Sequence, residues 1–273
     1  MLWMLKALEM RYSVDGARMK DLLANMIKSN ILSIQISSMF LTKLHFLADN
    51  ETLSGQILTH QEGDYPRLLF LHGAGQSSKE KILPLAERLL EAGLASFSFD
   101  FSGHGESSGK SEQSSLKKRV AEAQAALNFL SPQRRVLCAF SMSGHVALEL
   151  LKTNPFETLV LFCPAIYAPE AFEAPFDGRF TVIIRQNESW KRSQAVQALD
   201  DFTGKLLLFS GEKDEVIPKG VIELIEAHAQ QAARKETVTL PGAGHFLIQA
   251  ALQNPKIMDT YVEKIVEYSR PEQ

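Results

Sequence analysis

Residues 134–152 read RRVLCAFSMSGHVALELLK and pass from an apolar run to a helix-like run through two serines. The run VLCAF is short and apolar on both faces, which is typical of a buried strand of a parallel sheet. The run GHVALELLK has the apolar spacing of a helix. The sequence therefore predicts a strand, a tight turn at Ser141 or Ser143, and a helix packed on the sheet.

The same alternation continues on both sides of this stretch. Two strands around the turn residues DNET begin the pattern, and strand-like and helix-like segments then follow in turn. Alternation of this kind is typical of a doubly wound parallel sheet with helices on both faces. We therefore predict an α/β fold with antiparallel first strands and a mostly parallel remainder. Functional loops are expected at the carboxyl ends of its strands.

The tight turn discriminates between the two serines. A serine on a sharp strand-to-helix turn exposes its Oγ, and small residues are needed two positions before and two positions after it. Ser141 is flanked at those positions by Ala139 and Ser143, whereas Ser143 would have the imidazole of His145. We therefore predict Ser141 as a nucleophile, with Ser143 and Gly144 allowing close packing of the helix.

Two further strand-end loops carry residues that suit a nucleophilic serine. Asp214 lies in the turn SGEKDEVIP and is favoured over Glu212 and Glu215 by its place before VIP, although all three acids could be solvated. His245 lies in LPGAGHFLI after the last predicted strand. Each signal is weak alone. The three residues nevertheless each follow a predicted strand, and their order, Ser, Asp, His, is that of a catalytic triad.

Two glycine-bearing loops complete this edge of the predicted sheet. The loop LHGAGQSS follows the strand RLLFL, and glycines there allow close backbone approach with amide N–H groups facing an anion. The loop DFSGHGESSG follows the strand LASFSF and contains His104. For His104, flanked by glycines, we favour a structural role over a catalytic one.

With HGAG, DFSGHGESSG, FSMSG, GEKDEVIP and GAGHF in this order, the chain resembles the α/β-hydrolase superfamily from about residue 43 to 268. DFSGHGESSG and the helix after it resemble the feruloyl and cinnamoyl esterase and serine-aminopeptidase-like branch. The resemblance implies an α/β-hydrolase fold with Ser141 as nucleophile, His245 as general base and acid, and Asp214 as orienting carboxylate. It also implies an oxyanion hole formed by the backbone amides of Ala74 and Met142.

The activity implied by the resemblance is cleavage of carboxylic esters or thioesters through an acyl-enzyme on Ser141. We expect a small-molecule acyl substrate and neither a metal nor an organic cofactor, and the sequence contains no HExxH, CxxC or GxxxxGK[ST] motif. The same triad would also serve an acyltransferase, a perhydrolase or a peptidase. A binding protein that keeps the fold without catalysis is a further alternative.

The resemblance also divides the chain. Residues 1–38 are expected to form an extension, either helical or loosely attached, and residues 39–270 the hydrolase domain. A short cap is expected at about residues 165–204, where the superfamily inserts one. Its aromatic residues could wall an acyl pocket or simply pack the cap; they are Tyr167, Phe172, Phe176, Phe180 and Trp190.

Composition narrows the partners. The net charge of −3 and the absence of a basic stretch disfavour nucleic acid as a partner. No run reaches the roughly 18 uncharged apolar residues of a membrane helix, and no secretory signal is convincing. The two cysteines, Cys138 and Cys163, lie in apolar strand-like runs and are expected to be reduced thiols. We therefore predict a cytoplasmic protein, and the sequence indicates no oligomeric state.

Overall fold

The computed structural model describes residues 39–271 and contains one eight-stranded sheet. The prediction for residues 1–38 lies outside this part of the chain. The strands are short and mostly buried, as their apolar composition predicts. They are β1 Phe40–Ala48, β2 Glu51–Thr59, β3 Leu68–Leu71, β4 Ser96–Phe99, β5 Val136–Phe140, β6 Thr158–Phe162, β7 Lys205–Gly211 and β8 Arg234–Leu240.

The strand order is β1-β2-β4-β3-β5-β6-β7-β8. β2 runs antiparallel to both β1 and β4, and every other neighbouring pair is parallel. The β1–β2 hairpin turns at Asp49 and Asn50, whose φ values of 46° and 64° suit residue types that tolerate the left-handed region. The predicted α/β fold with antiparallel first strands is confirmed.

Seven α-helices connect the strands within residues 39–271. They are α1 Lys79–Glu91, α2 Leu116–Ala126, α3 Ser143–Leu151, α4 Gly178–Ile184, α5 Lys219–His228, α6 Leu247–Gln253 and α7 Pro255–Tyr268. The sequence after LPGAGHF predicts one last helix near residues 248–268, but the structure divides this stretch into α6 and α7. Asn254 caps α7 by accepting a hydrogen bond from the amide of Lys256, and Pro255 occupies the first turn, where its missing N–H costs nothing.

Apolar side chains alternate between the two faces of the sheet and form two cores. On one face Leu69 and Leu71 of β3 pack with residues of α2, α3, α4 and α5. On the other face Leu68 and Phe70 pack with residues of α1, α6 and α7. Burial on both faces therefore fixes the sheet register and holds the carboxyl ends of the strands in place. Within the described residues, no helix is long and apolar enough to cross a membrane.

The stretch predicted as a cap follows β6 and contains α4 together with short 3-10 helices. Its aromatic side chains pack on each other, with ring centroids 4.8 Å apart for Phe176 and Phe180 and 5.3 Å for Tyr167 and Phe180. Trp190 lies against Gly220 at the start of α5. These contacts support packing rather than an open aromatic wall for this stretch.

A buried ion pair fastens the loop after β4 to the start of α1. Lys79 Nζ lies 2.6 Å from Asp100 Oδ2 and 2.9 Å from Glu106, and the Lys79 amide donates to Asp100 Oδ1. The side chains of Lys79 and Asp100 are both fully buried. A buried charge without its partner is strongly destabilising, so this contact holds the loop DFSGHGESSG in one conformation.

We expect Asp100→Asn to lower the free energy of unfolding by about 3 kcal/mol, because the buried ammonium of Lys79 loses its nearest counter-charge. Urea denaturation of the purified variant measures this loss. The matched control is Glu173→Gln, which breaks the exposed Lys117–Glu173 pair and should leave the midpoint unchanged. Equal midpoints for both variants would show that Asp100 is not the counter-charge that stabilises the buried ammonium of Lys79.

Candidate active site

Ser141 lies on a strained turn between β5 and α3. Its φ of 50° places a non-glycine residue in the left-handed region, a conformation that persists only where the surroundings enforce it. The Ser141 amide donates to Phe162 O at 2.9 Å, and its carbonyl accepts from Gly144 N and Ala165 N. Backbone hydrogen bonds at the ends of β5 and β6 therefore hold the turn in place. The side chain of Ser141 projects from the carboxyl edge of the sheet.

The two serines of the turn have different surroundings. Ser143 is fully buried, and its Oγ donates a hydrogen bond to the carbonyl of His72 at 2.5 Å. Gly144 lies against the chain after β6, where an added Cβ would sit 2.6 Å from Pro164 Cβ. The structure thus gives Ser143 and Gly144 the packing positions that the sequence predicts and leaves the Ser141 hydroxyl available.

Three predicted side chains meet at this edge. His245 Nε2 lies 2.9 Å from Ser141 Oγ, and His245 Nδ1 lies 2.9 Å from Asp214 Oδ2. An ionised carboxylate only accepts hydrogen bonds, so Nδ1 carries the imidazole hydrogen and Nε2 accepts from the hydroxyl of Ser141. The two hydrogen bonds thus link a hydroxyl to a base, and that base to an acid that orients it, as in a catalytic triad.

Asp214 is held by four donors. Its Oδ1 accepts from the amides of Val216 and Ile217 at 2.8 and 3.0 Å, and its Oδ2 accepts from His245. Burial raises the pKa of the Asp214 carboxyl, but hydrogen bonds from His245, the thiol of Cys163 and the two amides outweigh it, so the pKa lies below its ordinary value. Asp214 is therefore ionised at neutral pH.

Cys163 is the one neighbour of Asp214 that sequence reasoning missed as part of the site. It follows β6 directly, is 2 % exposed, and has a φ of 42°. Burial and the hydrogen bond to Asp214 raise the pKa of its thiol, which therefore stays protonated and donates. Its position directly after a strand, beside the turn that carries Ser141, is the signal that sequence reasoning could have used.

Cys163, Asp214 and His245 also form the group of potential metal ligands found among the described residues, with ligand atoms within 4.8 Å of one another. Asp214 and His245 already bond to each other, and His245 bonds to Ser141. The proximity of these groups is thus accounted for by the Ser–His–Asp contacts.

The loop after β3 lies directly beside the nucleophile turn. An added Cβ on Gly73 would sit 3.3 Å from Ser141 Cβ and 3.4 Å from Phe140 O, so glycine allows this approach. Within residues 39–271 the amides of Ala74 and Met142 donate no hydrogen bond to protein. Two unpaired N–H groups beside Ser141, one at the start of α3, can donate hydrogen bonds to a developing oxyanion.

The other candidates lie outside these contacts. Glu212 accepts from the amide of Gly242, and Glu215 is exposed, so neither contacts His245. His104 is 6 % exposed and bonds through Nδ1 to the carbonyl of Ser102 and through Nε2 to Arg119. This supports the structural role expected for His104.

We expect Gly144→Ala to lower kcat by about 10-fold or more, because the new methyl group must displace Pro164 and move the turn that carries Ser141. Ester hydrolysis and thermal unfolding measured together test this. The control is Gly178→Ala at the start of α4, where an added Cβ meets nothing within 4 Å. An unchanged kcat in Gly144→Ala would show that the turn tolerates the displacement.

Comparisons with known proteins agree with this architecture. The family model described as serine aminopeptidase, S33, matches residues 66–193. Among curated proteins, no sequence matches the chain significantly. Among solved structures, the esterase Pf2001 of Pyrococcus furiosus aligns with a TM-score of 0.63 and 19% identity, covering 87% of this chain and 94% of that one.

Two further solved structures are similar at comparable levels. Est1E of Butyrivibrio proteoclasticus, solved with ferulic acid, aligns with a TM-score of 0.61 and 20% identity over 81% of this chain and 99% of its own. The thioesterase domain of the curacin biosynthetic pathway aligns with a TM-score of 0.62 and 16% identity over 81% and 99%. At these identities the structures establish the fold alone. The chain therefore has the fold of the α/β-hydrolases, and the match to the serine aminopeptidase model falls within that fold.

Proposed function

We propose that the protein is a serine hydrolase that cleaves carboxylic esters or thioesters through an acyl-enzyme on Ser141. The observation that carries this proposal is the continuous hydrogen-bonded path from Ser141 through His245 to Asp214, with both distances at 2.9 Å. A nucleophile within hydrogen-bond reach of a base that a third group orients is the signature of covalent acyl transfer.

The proposed reaction has two halves. His245 Nε2 takes the proton of the Ser141 hydroxyl as Oγ attacks the acyl carbon, and the amides of Ala74 and Met142 stabilise the tetrahedral oxyanion. His245 then gives that proton to the leaving alcohol or thiol as the acyl–oxygen or acyl–sulfur bond breaks. In the second half, water takes the place of Ser141, and attack on the acyl-enzyme releases a carboxylic acid and restores the hydroxyl.

Asp214 supports both halves without exchanging a proton. Its lowered pKa keeps the carboxylate ionised beside His245, so it holds the ring with Nδ1 protonated and stabilises the imidazolium that forms during attack. The strained φ of Ser141 keeps the hydroxyl pointed at His245 before substrate arrives, so little ordering remains for the transition state.

The substrate class rests on fold similarity as well as on the triad. The structural neighbours include enzymes named as esterases and a thioesterase domain, and this favours an activated acyl group over an amide. We infer a small-molecule acyl substrate. The two free buried cysteines agree with a reducing compartment such as the cytoplasm.

Two measurements test the proposal. One is labelling with a fluorophosphonate probe, mapped by mass spectrometry, and the other is turnover of p-nitrophenyl esters from acetate to decanoate. We expect one adduct on Ser141 and ester hydrolysis whose chain-length profile measures the acyl site. Products made in the presence of an alcohol or peroxide distinguish hydrolysis from acyl transfer. Folded protein with neither label nor turnover would favour a non-catalytic binding protein.

A further inference from the structure

A buried cation lies behind the loop that carries Ala74. Arg119, on α2, is 1 % exposed, and within residues 39–271 its guanidinium forms no ion pair with a carboxylate. The guanidinium carbon lies 4.6 Å from the ring centre of Phe101 and 5.2 Å from that of Phe176. Cation–π contacts and attraction to the carboxylate of Glu122 offset part of the cost of burying this charge, and the hydrogen bonds of Arg119 add to them.

Those hydrogen bonds converge on one peptide carbonyl. Arg119 Nη1 donates to Gly73 O at 3.3 Å, and His72 Nδ1 donates to the same oxygen at 2.8 Å. Arg119 Nη2 donates to His104 Nε2 at 3.1 Å. The Nε of Arg119 has no partner. The carbonyl of Gly73 therefore receives two donors, one of them charged.

The carbonyl of Gly73 and the amide N–H of Ala74 belong to the same planar peptide unit. Fixing the oxygen therefore fixes the direction of the N–H on the opposite side. A cation at the oxygen also polarises the peptide and strengthens its N–H as a donor, since hydrogen bonds in a chain reinforce one another. The Ala74 N–H is the amide left unpaired beside Ser141.

We propose that Arg119 is a positioning residue of the oxyanion hole, which holds the Gly73–Ala74 peptide with its N–H aimed at the reacting oxygen beside Ser141. The inference rests on the proposed hydrolase function. It assigns a role in the reaction to a side chain that touches neither the substrate nor the other members of the site.

The two histidines of the cluster cannot replace this charge. Burial, followed by the charge of Arg119, lowers the pKa of both His72 and His104, so both rings are neutral. Each ring has one tautomer that satisfies its partners: Nδ1 donates to a carbonyl, and Nε2 accepts from Phe101 N in His72 and from Arg119 in His104. Burial lowers the pKa of Arg119 to about 10, so it remains charged at neutral pH.

The test compares Arg119→Met and Arg119→Lys with Lys117→Met. Lys117 is a cation on the same helix whose exposed side chain pairs with Glu173 rather than contacting Gly73, so it is a matched control. The substrate is p-nitrophenyl acetate, and a trifluoromethyl ketone that forms a tetrahedral adduct reports transition-state binding. Thermal unfolding and fluorophosphonate labelling confirm that each variant is folded with an accessible Ser141.

We expect Arg119→Met to lower kcat by about 10²-fold with KM nearly unchanged, and Arg119→Lys to restore part of that loss, because removal of one oxyanion donor costs about 10²–10³. The inhibition constant of the ketone should rise in proportion to the fall in kcat/KM. Lys117→Met should keep the activity of the parent. A purely structural role would instead lower thermal stability and leave the ketone's affinity and kcat of the folded fraction unchanged.

Folded Arg119→Met with the kcat and ketone affinity of the parent would overturn the inference while leaving the hydrolase proposal intact. If that variant does not fold, Arg119→Lys decides by the same two readouts, since its shorter reach and single ammonium cannot reproduce both hydrogen bonds. A parent protein with neither label nor turnover overturns the proposed function and this inference together.

Discussion

Replacing Ser141 with alanine is expected to lower kcat for ester hydrolysis by about 10⁴-fold or more and to abolish fluorophosphonate labelling. Alanine removes the attacking oxygen and leaves the strained turn and the unpaired amides in place. It also keeps the two backbone hydrogen bonds of the turn, from the amide of residue 141 to Phe162 O and from Gly144 N to the carbonyl of residue 141. KM should change little, because the hydroxyl acts on the acyl carbon only after the substrate is bound. Single-turnover and steady-state kinetics measure the two quantities separately.

Ser143→Ala is the matched control for this experiment. It removes a hydroxyl two positions away that donates to His72 O and points into the protein. We expect this variant to keep its label on Ser141, with a loss of about 1–3 kcal/mol in the free energy of unfolding from the unpaired carbonyl. In Ser141→Ala, a label on Ser143 or surviving turnover would show that the nucleophile has been assigned to the wrong serine.

Asp214→Asn is expected to lower kcat by about 10⁴-fold without unfolding the protein. An amide at this position can donate to His245 Nδ1 and so stabilises the tautomer with the hydrogen on Nε2, which cannot accept the proton of Ser141. It also removes the negative charge that stabilises the imidazolium. The rate of the fluorophosphonate reaction gives the same information without a leaving alcohol to protonate, because fluoride leaves and the attack requires the same deprotonation of Ser141.

Glu215→Gln is the control for Asp214. It changes an exposed acid one residue away that makes no contact with His245, and its kcat should equal that of the parent. A large loss in Glu215→Gln together with a small loss in Asp214→Asn would move the orienting role to another acid of this turn.

Much of the architecture follows from local patterns in the chain. Short apolar runs alternating with helical ones predict the parallel sheet, and the size of Ala139 and Ser143 selects Ser141 over Ser143. Each candidate residue follows a strand. Because the strands are parallel, the sheet brings their carboxyl ends, and with them the three residues, to one edge. These inferences succeed because each depends on neighbours in sequence and on one topological rule.

Helix ends were less predictable, because tertiary contacts decide them. The run GVIELIEAHAQQAAR has helical spacing and predicts a helix over residues 220–234, whereas α5 ends at His228 and β8 begins at Arg234. The amide of Ala233 donates to Gly204 O before β7, so pairing with the neighbouring strand overrides the helical tendency of these residues.

The cluster around Arg119 could not be predicted from local pattern. In SLKKRVAEAQAALNFL this arginine follows two lysines, and its spacing from Leu116 and Ala123 places it on the buried face of α2 without indicating what it contacts. Its contact with Gly73 spans 46 positions of the chain and depends on how α2 lies over the loop after β3. Contacts of this kind arise from tertiary packing, and neither periodicity nor composition reports them.

The contact between Ser141 and His245 can form only after β8 has taken its place at one edge of the sheet. Ser141 and His245 are 104 positions apart, and His245 is held in place only once β8 has paired with β7. A contact between residues so far apart forms slowly, because chain closure precedes the contacts that reward it. A growing chain with β1 to β7 already folded would expose the Ser141 hydroxyl without His245. The proposed hydrolase activity requires this contact, so during refolding its recovery should lag behind that of secondary structure.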